Sequence, residues 1–209
     1  MFFKHFVASL FLTGIALGAP VQLEDSQSCS EVQLVHAAGT FEIGLGLVGT
    51  PLARALASRI PGATSHAIIY NTAPEYLATV QDGARKTEQY LAEQSALCPA
   101  QRFILSGYSK GSMVLHETNL SDDLKSKVFA ILAFGDPYRK YKADNTWPIN
   151  SSSISSNPRY GSSPSQNVAS FCNSGDTFCD PTGASLEAHL AYPKDGSIEV
   201  AADFAKARA

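Results

Sequence analysis

The chain has 209 residues, 44% of them hydrophobic and 17% charged, which is enough apolar mass for one sizeable core and shows no compositional sign of disorder. Its formal net charge of −3 supplies no basic field to gather phosphates, which excludes the electrostatic affinity of a nucleic-acid binder or of a protein held on anionic lipid. Neutral substrates or neutral surfaces fit better.

Residues 1–18 carry a positive charge at Lys4 beside His5, an apolar run from Phe6 to Leu17, and small residues at Ala16 and Gly18. This is the pattern of a secretory signal peptide cleaved after Gly18, leaving residues 19–209 as a single domain. The run is shorter than the roughly 20 residues of a membrane span, which disfavours an anchor. Glu31–Ala37 (EVQLVHA) then reads as a buried strand that ends in a turn at Gly39. Pro51–Arg59 repeats apolar residues at helical spacing, with proline at the start where a missing N–H is harmless. Ala67–Tyr70 (AIIY) suits a second strand, and Thr79–Ala96 an amphipathic helix.

Phe103–Leu105 forms an apolar strand broken by Ser106-Gly107, and helical spacing resumes through Met113, Val114 and Leu115. Val128–Phe134 (VFAILAF) is apolar throughout, as a central parallel strand covered on both faces would be. Tyr141–Gln166 is rich in Ser, Asn, Pro and Gly and reads as a long loop. Val168–Cys172 returns as a strand, and Ile198–Ala207 closes with an amphipathic helix. Strands alternating with helices predict an α/β fold, a three-layer α/β/α sandwich with a central, mostly parallel sheet.

Four cysteines, Cys29, Cys98, Cys172 and Cys179, suit an oxidising compartment and predict two disulfides. Three connectivities are possible. The simplest joins Cys172 to Cys179 and Cys29 to Cys98, with chain-entropy contributions of about 2.5 and roughly 4 kcal/mol respectively. A zinc site would use the same residues, but no Cys-x-x-Cys pair is present. Asn119-Leu-Ser and Asn150-Ser-Ser match the glycosylation acceptor pattern, which predicts exposure in an exported chain.

The chemistry centres on Gly107-Tyr108-Ser109-Lys110-Gly111, a G-x-S-x-G pentapeptide between a strand and a helix. A nucleophilic serine needs a sharp turn at a strand end, with neighbours small enough for strand and helix to approach closely. It also needs a base to take its proton. Of five histidines, His5 leaves with the signal peptide, while His36, His66 and His116 fall on a strand, near a loop and on the helix after the serine. His189 follows the last predicted strand, where this order of motifs keeps its base. Two aspartates compete to orient it: Asp136 after the Phe134 strand, and Asp176 between Cys172 and Cys179, where a short disulfide loop would fix the carboxylate. Position favours Asp176.

Cys172-Asn-Ser-Gly-Asp-Thr-Phe-Cys179, followed by Ala188-His189-Leu190-Ala191-Tyr192, resembles the acid and base segments of the fungal cutinase family. The serine pentapeptide matches as well, and Ala37-Ala38-Gly39-Thr40 with Glu42 and Gly44 resembles the family's first loop. The resemblance runs from about Cys29 to Tyr192. It implies a catalytic triad of Ser109, Asp176 and His189, disulfides Cys29–Cys98 and Cys172–Cys179, and an oxyanion hole formed by the backbone N–H of Lys110 and by Thr40. Each such donor typically contributes about 3 to 4 kcal/mol in the transition state.

Lys110 stands where many cutinases carry glutamine, Ala38 where an arginine is often found, and residues 141–166 form a longer stretch than in compact members. These departures bear on substrate more than on mechanism, Lys110 by bringing its charge near the cleft. The implied function is a secreted serine esterase acting on cutin polyester and short-chain acyl esters, as a monomer, with no cofactor, metal, nucleic-acid partner or stable membrane insertion. Segments Ala73–Leu77 and Pro181–Leu186 are candidates to line an acyl groove. The alternatives are an acetylxylan or other short-chain esterase, and a non-catalytic secreted binding protein on the same scaffold.

Overall fold

The computed structural model describes residues 29–141, 146–149, 151 and 154–209. The signal segment 1–18 and the acceptor Asn150 lie outside them. Six strands, β1 (Val32–Ala37), β2 (Thr64–Ala67), β3 (Arg102–Tyr108), β4 (Val128–Phe134), β5 (Ile154–Ser155) and β6 (Val168–Phe171), form one sheet in the order β2-β1-β3-β4-β6-β5, with every adjacent pair parallel. Side chains alternate between the faces of a strand, so each inner strand feeds two cores. Leu34 of β1, Ile104 of β3 and Leu132 of β4 pack beneath α1 (Gly46–Arg59) and α7 (Ser197–Lys206). Val35, Leu105 and Ile131 pack beneath α2 (Ala78–Leu97) and α3 (Lys110–Glu117). On α2 the buried positions Val80, Gly83, Ala84, Thr87 and Leu91 recur at helical spacing, as an amphipathic helix requires.

The chain from β1 crosses to β2 on one side, whereas the chain from β3 crosses to β4 on the other. The carboxyl ends of β1 and β3 therefore flank a switch point, where open parallel sheets form their crevices.

Strand β3 does not break at Ser106-Gly107 as the sequence suggests but runs through both residues to Tyr108, held by its pairing with β1 and β4, and two further boundaries, those of α1 and β2, differ more widely from the sequence expectation. Helix α1 starts at Gly46, so Pro51 lies inside it rather than at its first turn. The start is set upstream by Glu42, whose carboxylate accepts the Leu47 N–H in the first turn at 2.8 Å, a negative charge at the positive end of the helix, and ties it to the first loop by accepting the Gly39 N–H at 2.6 Å. The second strand is Thr64–Ala67, not Ala67–Tyr70. It is a polar edge strand, and the apolar run beyond it leaves the sheet, with Ile68 and Tyr70 entering the core and Ile69 remaining exposed. The structure adds three short helices beyond the sequence expectation: α4 (Asp122–Lys127), α5 (Tyr138–Tyr141) and α6 (Leu186–His189). Beyond the end of α5 at Tyr141, the described residues of the stretch 141–166 hold β5 and the 3₁₀ turn Pro158–Tyr160. The bridges are Cys29–Cys98, tying the approach to β1 to the end of α2, and Cys172–Cys179. Asn119 is exposed, as an acceptor must be.

His36 lies fully buried in β1, its Nδ1 3.1 Å from Ser106 Oγ and its Nε2 without a hydrogen-bond partner among the described residues. Burial lowers its pKa from 6.5 to about 3. The native ring therefore stays neutral while the unfolded ring takes up a proton below pH 6.5, so stability falls as pH drops from 6.5 towards 3. The expected slope from this group approaches about 1.4 kcal/mol per pH unit, to within a tenth, between pH 5 and 4. Denaturant titrations at pH 6, 5 and 4 should give a clearly shallower pH dependence for His36→Leu than for wild type; equal slopes would show that another group takes up the proton.

Candidate active site

Strand β3 runs into the pentapeptide, and Ser109 adopts φ 53° and ψ −119°, a strained conformation for a residue with a Cβ. A Cβ at Gly107 would stand 2.4 Å from the Gly111 carbonyl oxygen, and one at Gly111 would stand 1.9 Å from that of Ala37. Both glycines are thus needed for helix α3 to leave the strand so closely. The Ser109 N–H donates to the Phe134 carbonyl at 2.8 Å, fastening the turn to β4. Among the described residues the only other non-glycine residue with positive φ is Phe41, at 64°. Phe41 and Ser109 line the same cleft.

The candidate base and acid come from the segment after β6. Asp176 is fully buried, and its carboxylate lies 2.9 and 3.0 Å from His189 Nδ1. It also accepts the Tyr192 hydroxyl at 2.5 Å and the Phe178 N–H at 2.8 Å. Burial alone would raise the acid's pKa, but the hydrogen bonds from His189, Tyr192 and Phe178 outweigh it and hold the carboxyl below its usual range. The acid loop is braced from outside by Lys140 Nζ, which donates to the Thr177 carbonyl at 2.9 Å. His189 ends α6, which is capped by Ser185, and its ring stacks on Tyr108 with centroids 5.0 Å apart. Gly135 leaves the space for that ring, because a Cβ there would stand 2.6 Å from His189 Cε1.

Ser109, His189 and Thr40 meet in one cleft of about 770 Å³. Its walls are mainly apolar and aromatic, with Phe41, Met113, Phe178, Leu186 and Leu190 prominent. Of the segments expected to form a groove, Ala73–Leu77 contributes Tyr76 and Pro181–Leu186 contributes Leu186. The remaining wall residues come from segments far apart in sequence, among them Phe41 in the first loop, Met113 on α3 and Phe178 in the 172–179 loop, and no local spacing marks them as neighbours.

Lys110 differs from expectation in where its charge goes. Its side chain is buried and does not line the cleft, with Nζ donating to the Asn71 carbonyl at 2.9 Å and the Ala73 carbonyl at 2.5 Å. Burial lowers its pKa, and the nearby Glu75 partly offsets this. Asp136, the competing acid, faces a different histidine: its Oδ2 lies 2.7 Å from His116 Nε2, while His116 Nδ1 lies 2.7 Å from the Thr146 carbonyl. Trp147 covers the His116 ring at 3.9 Å between centroids. The pair joins α3, the end of β4 and the 146–149 segment, a structural position with both side chains almost wholly buried. Removing one member of such a pair strands the other, so Asp136→Ala is expected to lower unfolding free energy by about 3 to 5 kcal/mol. Denaturant unfolding measures it, and a loss under about 1 kcal/mol would contradict the assignment.

Residues 28–209 match the family model described as Cutinase. The chain is 33% identical over 195 residues to a cutinase of Kineococcus radiotolerans, an alignment that covers 85% of this chain and 61% of that relative's length. It is 29% identical over 185 residues to the carboxylesterase Culp1 of Mycobacterium tuberculosis, covering 86% of this chain and 82% of the other. In fold it resembles the catalytic core domain of acetyl xylan esterase from Trichoderma reesei, with a TM-score of 0.69 at 19% identity over 87% of this chain and all of that one.

Proposed function

Because the chain belongs to the cutinase family of carboxylic ester hydrolases, we propose that it is a secreted serine esterase in which Ser109 is the nucleophile, His189 the general base and Asp176 the residue that orients the base. One observation carries the proposal: a strained serine at a strand end shares an apolar cleft with a histidine whose far nitrogen is held 2.9 Å from a buried carboxylate.

In the first half-reaction the Ser109 hydroxyl attacks the ester carbonyl carbon as His189 Nε2 accepts its proton. The oxyanion is stabilised by the backbone N–H of Lys110 and by Thr40, and the alcohol departs with the proton from His189. Water then attacks the acyl-serine, assisted by the same histidine, and the carboxylic acid leaves. Asp176 keeps its negative charge throughout and holds the Nδ1 proton of the ring towards itself.

The apolar walls support acyl chains as the recognised group. A sugar acetate would present hydroxyls that need polar partners, and aromatic and aliphatic residues dominate this cleft. Cutin and short fatty acyl esters are the proposed substrates. Two disulfides support export to an oxidising compartment after removal of residues 1–18, and no helix among the described residues is long and apolar enough to cross a membrane.

Purified protein should be assayed on p-nitrophenyl esters from acetate to palmitate and on cutin, and labelled with a fluorophosphonate. The expected result is a maximum near butyrate, release of cutin monomers, and a label on Ser109. Cleavage of acetate alone would establish a short-chain acetyl esterase instead. Inertness on every ester, with no labelled serine, would establish a binding protein on this scaffold.

A further inference from the structure

Lys110 begins α3 directly after the strained serine, where a cation opposes the helix dipole, and its side chain is buried. Neither circumstance favours lysine, so its fixed partners bear the explanation. Nζ donates to the Asn71 and Ala73 carbonyls and lies 5.5 and 5.4 Å from the ring centroids of Tyr70 and Tyr76. The turn it grips is bonded in turn to the first loop of the cleft. Thr72 accepts the Phe41 N–H through its carbonyl at 2.9 Å and donates its hydroxyl to the Glu42 carbonyl at 2.9 Å. The Tyr76 hydroxyl lies 3.4 Å from Thr40 Oγ1.

We infer that the Lys110 side chain is a positioning residue for the oxyanion hole: its ammonium clamps the 71–73 turn, and that turn holds the Thr40–Phe41 loop at a set distance from the serine. One residue then serves both sides of the hole, its own N–H on one side and, through its side chain, Thr40 on the other. The strained φ of Phe41 is consistent with a loop held by outside bonds rather than by its own preference. A hole set by such bonds acts on the developing oxyanion and leaves ground-state binding nearly untouched.

The inference rests on the esterase function proposed above, so Ser109→Ala and wild type are assayed beside the test variants. Lys110→Met keeps the length and removes the donors; Lys110→Gln and Lys110→Arg grade the loss. With rates normalised to fluorophosphonate-titrated sites, Lys110→Met is expected to lower kcat on p-nitrophenyl butyrate about 10- to 100-fold with KM within about twofold. Affinity for a trifluoromethyl ketone, which forms an oxyanion on the serine, should fall by the same factor, and Lys110→Arg should recover most of both.

Thr40→Ala should further reduce kcat less in the Lys110→Met background than in wild type. An unchanged kcat per titrated site, a rise in KM alone, or strict additivity with Thr40→Ala would overturn the clamp. If Lys110→Met does not fold, the Lys110→Gln and Thr40→Ala pair decides by the same criteria. Wild type no more active than Ser109→Ala would instead refute the esterase function itself.

Discussion

Replacing Ser109 with alanine is expected to lower kcat on p-nitrophenyl butyrate by roughly 10⁵- to 10⁶-fold while the protein keeps its fold and its affinity for a non-reactive ester analogue. The size follows from the mechanism. Without the hydroxyl there is no acyl-enzyme, and His189 and Asp176 have no nucleophile to serve, so only the oxyanion donors and binding remain. Alanine keeps the Cβ, which leaves the backbone at φ 53° under the same strain as before, so the loss does not come from a folding defect. Circular dichroism and thermal unfolding would establish equal folding. Residual activity within about 100-fold of wild type would mean that a different group attacks the ester.

Asp176→Asn should reduce kcat by about 10⁴-fold. The carboxylate serves three kinds of donor at once: the His189 ring, the Tyr192 hydroxyl and the Phe178 N–H. An asparagine fits the same space but must turn its NH₂ towards one of them, so a donor meets a donor in a fully buried site. If the NH₂ faces His189, the ring flips its proton to Nε2 and can no longer accept one from Ser109. The Asp176 pKa adds a second readout. Because the folded carboxyl titrates below its ordinary 3.8, it stabilises the native state above that pH, and the contribution is lost as pH falls through the lowered value. The asparagine variant should therefore lose activity at every pH and show a shallower acid unfolding limb. A decrease of less than tenfold in kcat would remove Asp176 from the catalytic set.

Legibility in the sequence followed burial. Val128–Phe134 was placed to the residue because both faces of β4 are covered, which leaves no polar position to confuse the pattern. The pattern does not reveal β2 because an edge strand needs little apolar content, and Thr64-Ser65-His66-Ala67 has almost none. Pro51 drew the start of α1 five residues too far along, since proline favours a first turn, while the carboxylate that sets the start, Glu42, acts across a loop. Helix α4 did carry a signal, with Ser121 as cap, Asp122 and Asp123 in its first turn and Lys125 and Lys127 in its last.

At the candidate site, Ser109, Asp176 and His189 could be singled out because each lies in a short local motif. The partners that position them could not. Tyr192 on Asp176, Tyr108 against His189, and Lys110 on the 71–73 turn are contacts between segments far apart in the chain, and no local spacing encodes where a lysine side chain turns. The His116–Asp136 pair was hidden for the same reason, since each residue alone looks like an ordinary helix histidine or turn aspartate.

The glycines of the pentapeptide are fixed by crowding rather than by backbone conformation. Gly196, before α7, has φ +85° with open space where a Cβ would go, so a side chain that tolerates the left-handed region, such as asparagine, can replace it. Gly107 and Gly111 do not have positive φ; they are excluded by volume, against the carbonyls of Gly111 and Ala37. A saturation library should therefore accept asparagine at one kind of position and nothing at the other. Strain is carried by the serine and closeness by the glycines, so the motif works as a gauge of how near the helix is set to the sheet. Scaffolds with a wider strand-to-helix gap could keep the strained serine and spell its neighbours differently, and a search keyed to the glycines would pass over them.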